Sequence, residues 1–304
     1  MDEIKTKIRE LLKSGKVDLI IGYKEGKISL VDGSEVRSVK PVFLTKETET
    51  DLLIWNRRCV QNLVTYLTRK ENKVFEKIGI FVKPCELKAI HVLSQENQID
   101  RQKLFIIGLS CDGIIGKKLG ADTNHLAGKC VTCRDAHEGA IAKCGDEEVD
   151  LLIENLPEGE LPTASKEVTI TIQDLENMSR EDRLAFWQKQ FQKCLRCYAC
   201  RSACPLCYCE QCITDMSQPQ WIDKSPHLKG NFLFHLVRAF HLAGRCIGCE
   251  ECERVCPMGI PLMLLNKKMI IEVKQLYDYE SGKKPDQIPV LSQFNVNDDE
   301  SFIK

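Results

Sequence analysis

This chain of 304 residues lacks an excess of either charge, a long apolar run and the common nucleotide-binding motifs. Lys and Arg number 43 against 44 Asp and Glu, so the net charge of -1 gives no electrostatic reason to expect nucleic acid or an anionic membrane as partner. No apolar stretch approaches the roughly 18 residues that cross a bilayer, and no membrane span is expected. The start, Met-Asp-Glu-Ile-Lys, has neither the basic end nor the apolar run of a secretory signal, so a cytoplasmic location is expected. There is no G-x-G-x-x-G after a strand, no Walker loop and no helical H-E-x-x-H. Neither a Rossmann nucleotide site nor a zinc hydrolase is indicated.

Cysteine is abundant. Apolar residues make up 43% of the chain, enough for an ordinary core, so its 17 cysteines are not needed as staples. Eleven of them lie between Cys194 and Cys256. In a reducing compartment such density points to metal ligation rather than disulfides.

The pattern before that cluster reads as α/β (α+β). Ile4, Ile8, Leu11 and Leu12 form a short amphipathic helix over 3–14. Val17–Tyr23, Lys27–Val31 and Val39–Thr45 read as antiparallel strands divided by Glu25-Gly26 and Asp32-Gly33. A helix is expected from Glu49 to Lys70, then a βαβ crossover from strand 78–82, helix 86–95 and strand 104–109. The expected organisation is an α/β domain over 1–182, a ferredoxin-like two-cluster domain over 183–281 and an extended arm over 282–304. Within the second domain, helices are expected over 184–192, within an insertion at 232–242, and over 261–277.

Cys194, Cys197, Cys200 and Cys204 precede Pro205; Cys246, Cys249, Cys252 and Cys256 precede Pro257. Each set is the ferredoxin run C-x2-C-x2-C-x3-C-P, whose fourth cysteine serves the other cluster. The expectation is two [4Fe–4S] clusters, one held by Cys194, Cys197, Cys200 and Cys256, the other by Cys246, Cys249, Cys252 and Cys204. Zinc favours paired C-x2-C sites and leaves the middle cysteine and the proline without a role. About forty residues, more than in a compact ferredoxin, separate the halves; they include Trp221 and Pro226 and could cover a cluster or dock a partner.

Cys207, Cys209 and Cys212 could hold a further metal or cluster, or be buried small residues. In the first half, Cys85 follows a strand, Cys111 ends another, and Cys130 and Cys133 form a C-x2-C pair. Ligands gather at such strand ends, so these four are candidates for a third [4Fe–4S] cluster, with Cys144 as a substitute. The alternative is that Cys85 and Cys111 pack in turns while Cys130 and Cys133 bind zinc or nothing. Cys59 reads as core. His235 and His241 could tune a cluster, although surface or capping roles are commoner for histidine.

Lys-Pro-Cys-Glu-Leu-Lys-Ala-Ile (83–90), Ile-Ile-Gly-Leu-Ser-Cys-Asp-Gly (106–113) and Cys-Val-Thr-Cys-Arg-Asp (130–135) resemble motifs of the coenzyme F420 hydrogenase/dehydrogenase beta-subunit family. They are also similar to sulfhydrogenase beta subunits and the A subunit of anaerobic sulfite reductase, whose order, with the ferredoxin module last, this chain shares. The resemblance implies FAD as well as clusters. It places Cys85, Cys111, Cys130 and Cys133 in the family's own cluster and Lys83 at a flavin-facing position.

The expected function is that of an electron-transfer subunit in an anaerobic oxidoreductase complex of hydrogenase, formate dehydrogenase or heterodisulfide-reductase-like type. It would relay electrons between a catalytic subunit and a flavin or ferredoxin-type carrier. The alternative is a FAD-containing subunit that itself exchanges hydride with F420 or NAD(P)H. A non-redox scaffold with structural metal is a third reading.

Overall fold

A computed structural model describes residues 2–29, 33, 35–118, 121–136, 144, 148–165, 170–294 and 296. The end of the expected strand Lys27–Val31, Asp32 of the expected turn after it, and the last residues of the expected arm, 297–304, lie outside the described residues.

Helix α1 (Asp2–Lys13) buries Ile4 and Ile8 against strand β1 (Leu19–Ser29) and its neighbours. Strand β2 (Glu35–Leu44) pairs antiparallel with β1. Beyond β1 come β3 (Ile78–Val82), β4 (Leu104–Leu109) and β7 (Leu151–Ile153), each parallel to its neighbour, giving the order β2-β1-β3-β4-β7. Every residue of β3 and β4 is buried, as expected of strands covered on both faces. Helix α2 (Pro84–Gln95) makes the crossover between them, with Pro84 in its first turn where its missing N–H costs nothing. A separate hairpin, β5 (Ile115–Lys118) and β6 (Ala121–Leu126), leads into α3 (Gly128–Ala136).

Two sequence expectations fail here for identifiable reasons. The turn at Glu25-Gly26 is absent, because β1 runs straight through it, with Glu25 opposite Val39 and Gly26 opposite Ser38. The helix over 49–70 is also absent; 3-10 turns at Glu47–Leu52, Leu63–Tyr66 and Lys70–Asn72 punctuate irregular chain. The apolar residues on which that helix was read are nonetheless largely buried, Trp55, Cys59, Leu63 and Leu67 among them. Tertiary partners take the backbone groups a helix would need. Ile54 N–H donates to Tyr23 O at 3.0 Å, and the Lys83 ammonium donates to Cys59 O at 2.9 Å and Gln61 O at 3.1 Å.

The rest of the chain is mainly helical: α4 (Ile172–Asn177), α5 (Arg180–Gln192), α6 (Ala199–Ser202), α7 (Leu228–His241), α8 (Glu251–Arg254) and α9 (Leu262–Tyr277). Ser179 caps α5 through Asp182 N–H, a contact worth about 1 kcal/mol, so the helix starts before the expected 184. Phe191, Phe234, Ile260 and Met263 form a second apolar core here.

The two cores meet along a seam. Leu206 and Leu242 belong to the first core, and Cys204, Tyr208, Cys246 and Ile247 pack against it. Arg245 Nε donates to Glu96 Oε1 at 2.6 Å, and Arg69 Nη2 to Ser202 O at 2.6 Å. After α9 the chain returns to α2: Tyr279 and Ser281 are buried, His91 Nδ1 lies 2.9 Å from Gly282 O, and Gln95 Nε2 donates to Lys284 O at 2.7 Å. The beginning of the expected arm is therefore a strap laid along α2. Among the described residues no helix is long and apolar enough to cross a membrane.

Candidate iron–sulfur sites

The two ferredoxin runs fold as copies of one loop. Residues two and four positions after the first cysteine take left-handed backbone in both, Arg196 (φ 54) and Tyr198 (φ 59) in one, Gly248 (φ 72) and Glu250 (φ 60) in the other. Each loop then enters a one-turn helix, α6 or α8, and these pack together. The backbone N–H of Arg196 donates to Cys194 Sγ at 3.4 Å, and that of Gly248 donates to Cys246. Positive φ in a non-glycine residue is costly, and its repetition at matched positions marks loops shaped around something.

The sulfurs associate crosswise. Cys194 lies within electrostatic reach of Cys256 and Cys197, and Cys200 of Cys194, Cys256 and Cys197. Cys200 also reaches Cys252 of the other run, and Cys204 is not among the leading influences on Cys194 or Cys200. It acts instead on Cys246, Cys249 and Cys252 of the other run. Burial raises most of these thiols, Cys200 and Cys246 each to about 11, so in the bare chain they hold their protons. Metal binding would release them. Cys204 is the exception, held low because Cys207 donates to its sulfur. Eight soft, uncrosslinked donors in two groups of four fit a [4Fe–4S] pair in kind and number. Among the described residues no three His, Cys, Asp or Glu side chains converge as one metal ion would require. A cubane differs in taking its thiolates on separate irons.

The insertion between the runs is folded over the first loop. Asn231 Nδ2 donates to Phe191 O at 3.0 Å and Cys194 O at 2.9 Å, Arg196 Nη2 to Asp223 O at 2.7 Å, and Arg238 Nη2 to Cys200 O at 3.1 Å. Helix α7 begins earlier than expected, at Leu228, because His227 Nδ1 accepts from Gly230 N–H and caps it. His235, in contrast, is buried with its ring stacked on Phe191, centroids 4.6 Å apart. Burial, then the Arg238 and Arg196 charges, lowers its pKa to about 3.

Cys207, Cys209 and Cys212 line one cavity of about 250 Å3 with Arg69, Arg201 and Arg238. Each has its own surroundings there. The Cys207 thiol is hydrogen-bonded to Cys204, Cys212 Sγ accepts from Thr214 Oγ1 at 3.2 Å, and Cys209 is exposed.

In the first half, β3 and β4 end side by side and deliver Cys85, in the first turn of α2, and Cys111 to one sheet edge. Arg57 locks the loop after Cys111, donating through Nη2 to Asp112 Oδ2 at 3.0 Å and through Nη1 to Gly113 O at 2.8 Å. Cys111 lies within electrostatic reach of Cys85 and Cys130, and burial raises it to about 12. Cys133 is half-buried one turn along α3 from Cys130. Cys144 is buried, its thiol 3.9 Å from Val82 O and within reach of Cys85. Cys59 is in the core.

Lys83 is 1% exposed, and its Nζ faces Glu86 Oε1 at 2.7 Å and Tyr23 Oη at 2.6 Å besides the two carbonyls already named. Four protein oxygens saturate that ammonium, leaving no donor for a flavin. Lys83, the residue expected to face a flavin, is therefore spent on the protein's own oxygens.

Fold and sites together define a mixed α/β protein whose free cysteines lie in groups. No protein-family profile matches the chain. It is 23% identical to the F420-dependent formate dehydrogenase subunit beta of Methanocaldococcus jannaschii over 339 aligned residues, 85% of this chain and 87% of that one. It is also 23% identical to the F420-dependent formate dehydrogenase 1 subunit beta of Methanococcus maripaludis, over 89% of each chain. A chain of the F420-reducing [NiFe] hydrogenase complex from Methanosarcina barkeri matches 43% of this chain and 40% of its own, with 16% identity and a TM-score of 0.28. The similarity to these beta subunits extends over most of the chain, as does the resemblance to the coenzyme F420 hydrogenase/dehydrogenase beta-subunit family read from its motifs.

Proposed function

We propose that the chain is the iron–sulfur electron-transfer subunit of an oxidoreductase complex. The reading rests on the crosswise association of eight cysteines from two matched loops. Cys194, Cys197, Cys200 and Cys256 would hold one [4Fe–4S] cluster, and Cys246, Cys249, Cys252 and Cys204 the other. Cys85, Cys111 and Cys130, with Cys133 or Cys144, would hold a third. Bound clusters supply one-electron storage and transfer. The chain's part is to fix the sulfurs, exclude water with Phe191 and Phe234, and place charge near them.

Both relatives are named as formate dehydrogenase subunits, which supports other subunits of such a complex as partners. The proposed domains remain 1–182, 183–281 and 282–304, and the proposed location is the cytoplasm. A ferredoxin-type carrier suits the one-electron chemistry. The relatives' F420 dependence favours a second reading, a flavin that accepts hydride, against which the saturated Lys83 ammonium stands.

Anaerobic purification with iron and sulfide analysis tests the first reading. Two clusters give about eight of each per chain, and three give about twelve. Zinc without sulfide would overturn it. A bound flavin spectrum would favour the second reading.

A further inference from the structure

Two cations with buried nitrogens, Arg238 and Lys129, stand where groups of cysteines adjoin. Arg238 lies on α7, 8% exposed, and donates to Cys200 O of the first loop. Its guanidinium is within electrostatic reach of Cys252 and Cys204, from one group of four, and of Cys200 from the other. Among the described residues it makes no ion pair with a carboxylate, and its Nε has no hydrogen-bond partner. Helix packing does not call for such a group, because an uncompensated buried charge opposes folding.

Lys129 occupies the matching place between the two halves of the chain. Its backbone N–H donates to Glu250 Oε2 at 2.8 Å, which ties α3 to the second ferredoxin loop. Its Nζ is buried and has no hydrogen-bond partner among the described residues. It acts on Cys85 and Cys130 on one side and on Cys249 on the other. The acidic groups near it are Glu86 and Glu251, and Glu251 is already engaged by Arg254 at 2.7 Å.

We propose that Arg238 and Lys129 set the reduction potentials of the clusters they adjoin, Arg238 for both ferredoxin-type clusters and Lys129 for the one held by Cys204, Cys246, Cys249 and Cys252 and for the proposed third cluster beside Cys85 and Cys130. This rests on the cluster reading above. One-electron reduction adds one negative charge to a cluster, and a fixed positive charge in a water-poor surrounding favours the reduced state. The two residues differ in which clusters they reach. A purely structural role would not produce that selectivity.

The experiment is an EPR-monitored titration of the full, cluster-loaded chain with dithionite as reductant. Cys197→Ser and Cys249→Ser identify which signal belongs to which group. Arg238→Met is expected to lower both potentials, each by about 59 mV or more, a tenfold change in a one-electron reduction equilibrium. Arg238→Lys, which keeps the charge, should restore most of the loss. Lys129→Met is expected to lower the Cys246-group potential by a similar amount and leave the Cys194-group potential in place.

Unchanged potentials in either Met variant, or equal shifts of both clusters in Lys129→Met, would overturn the proposal. If Arg238→Met loses iron, Lys129→Met decides alone by the same criterion. A wild-type chain without iron and sulfide would instead overturn the cluster reading, so the two failures are distinguishable.

Discussion

Asn266 and Cys252 meet inside the second ferredoxin loop, the Asn266 Nδ2 donating to the Cys252 sulfur at 3.5 Å, with Met263 Sδ 3.7 Å from that sulfur. Hydrogen bonds to ligand sulfur raise a cluster's potential because they offset charge on the thiolate. Asn266→Leu should therefore lower the potential of the Cys246-group cluster by less than the ~59 mV that marks a tenfold change. The Cys194-group cluster should not move. Redox titration of the variant checks both statements.

Removing one partner of the buried pair Lys83 and Glu86 leaves the other charged and dry. Lys83→Met should destabilise the fold by about 3–5 kcal/mol, measured by urea unfolding. Lys83→Met combined with Glu86→Leu should recover only part of that, because the Cys59 carbonyl still loses its donor, whereas Gln61 O keeps the Tyr23 hydroxyl.

Cys197 and Cys209 are both exposed, but only Cys197 belongs to a proposed ligand set. In the cluster-loaded chain an alkylating reagent should modify Cys209 and spare Cys197. After removal of iron both should react, as read by peptide mass spectrometry.

His235 gives the stability a sign with pH. Its folded pKa of about 3 lies below the ordinary value near 6.5, so below pH 6.5 the unfolded chain binds a proton that the folded chain refuses. The contribution is intact above about pH 6.5 and falls as the pH drops toward 3. Between pH 7 and pH 5 this amounts to about 2 kcal/mol. His235→Phe keeps the stack on Phe191 and cannot titrate, so its unfolding midpoint relative to wild type should rise as the pH falls from 7 to 5.

What was legible in the sequence follows the range of the interactions involved. Strands 78–82 and 104–109 were visible as short apolar runs because burial on both faces determines them. The expected grouping of Cys204 with the distant run rests on the repeat in ligand spacing. Segment 49–70 was misread because its periodicity reflects burial, whereas its backbone conformation is set by Lys83 and Tyr23, far away in sequence. Arg238 and Lys129 were missed for the same reason, although a lone arginine facing the apolar side of α7 and a lysine beside Cys130 were signals available to be weighed. Lys83 was noticed for its place in a motif, but its partners come from three separate segments.

The crosswise grouping also constrains the order of assembly. Cys194 and Cys200 stand with Cys256, and Cys204 stands with a run that begins at Cys246. On a ribosome, neither group of four has all its thiols until residue 252 has been synthesised, and the first to open is the last to close. A chain released early, or cut anywhere in the insertion, would present two unfinished groups together, so loading of the two proposed ferredoxin-type clusters is expected to wait for the carboxyl-terminal third of the protein.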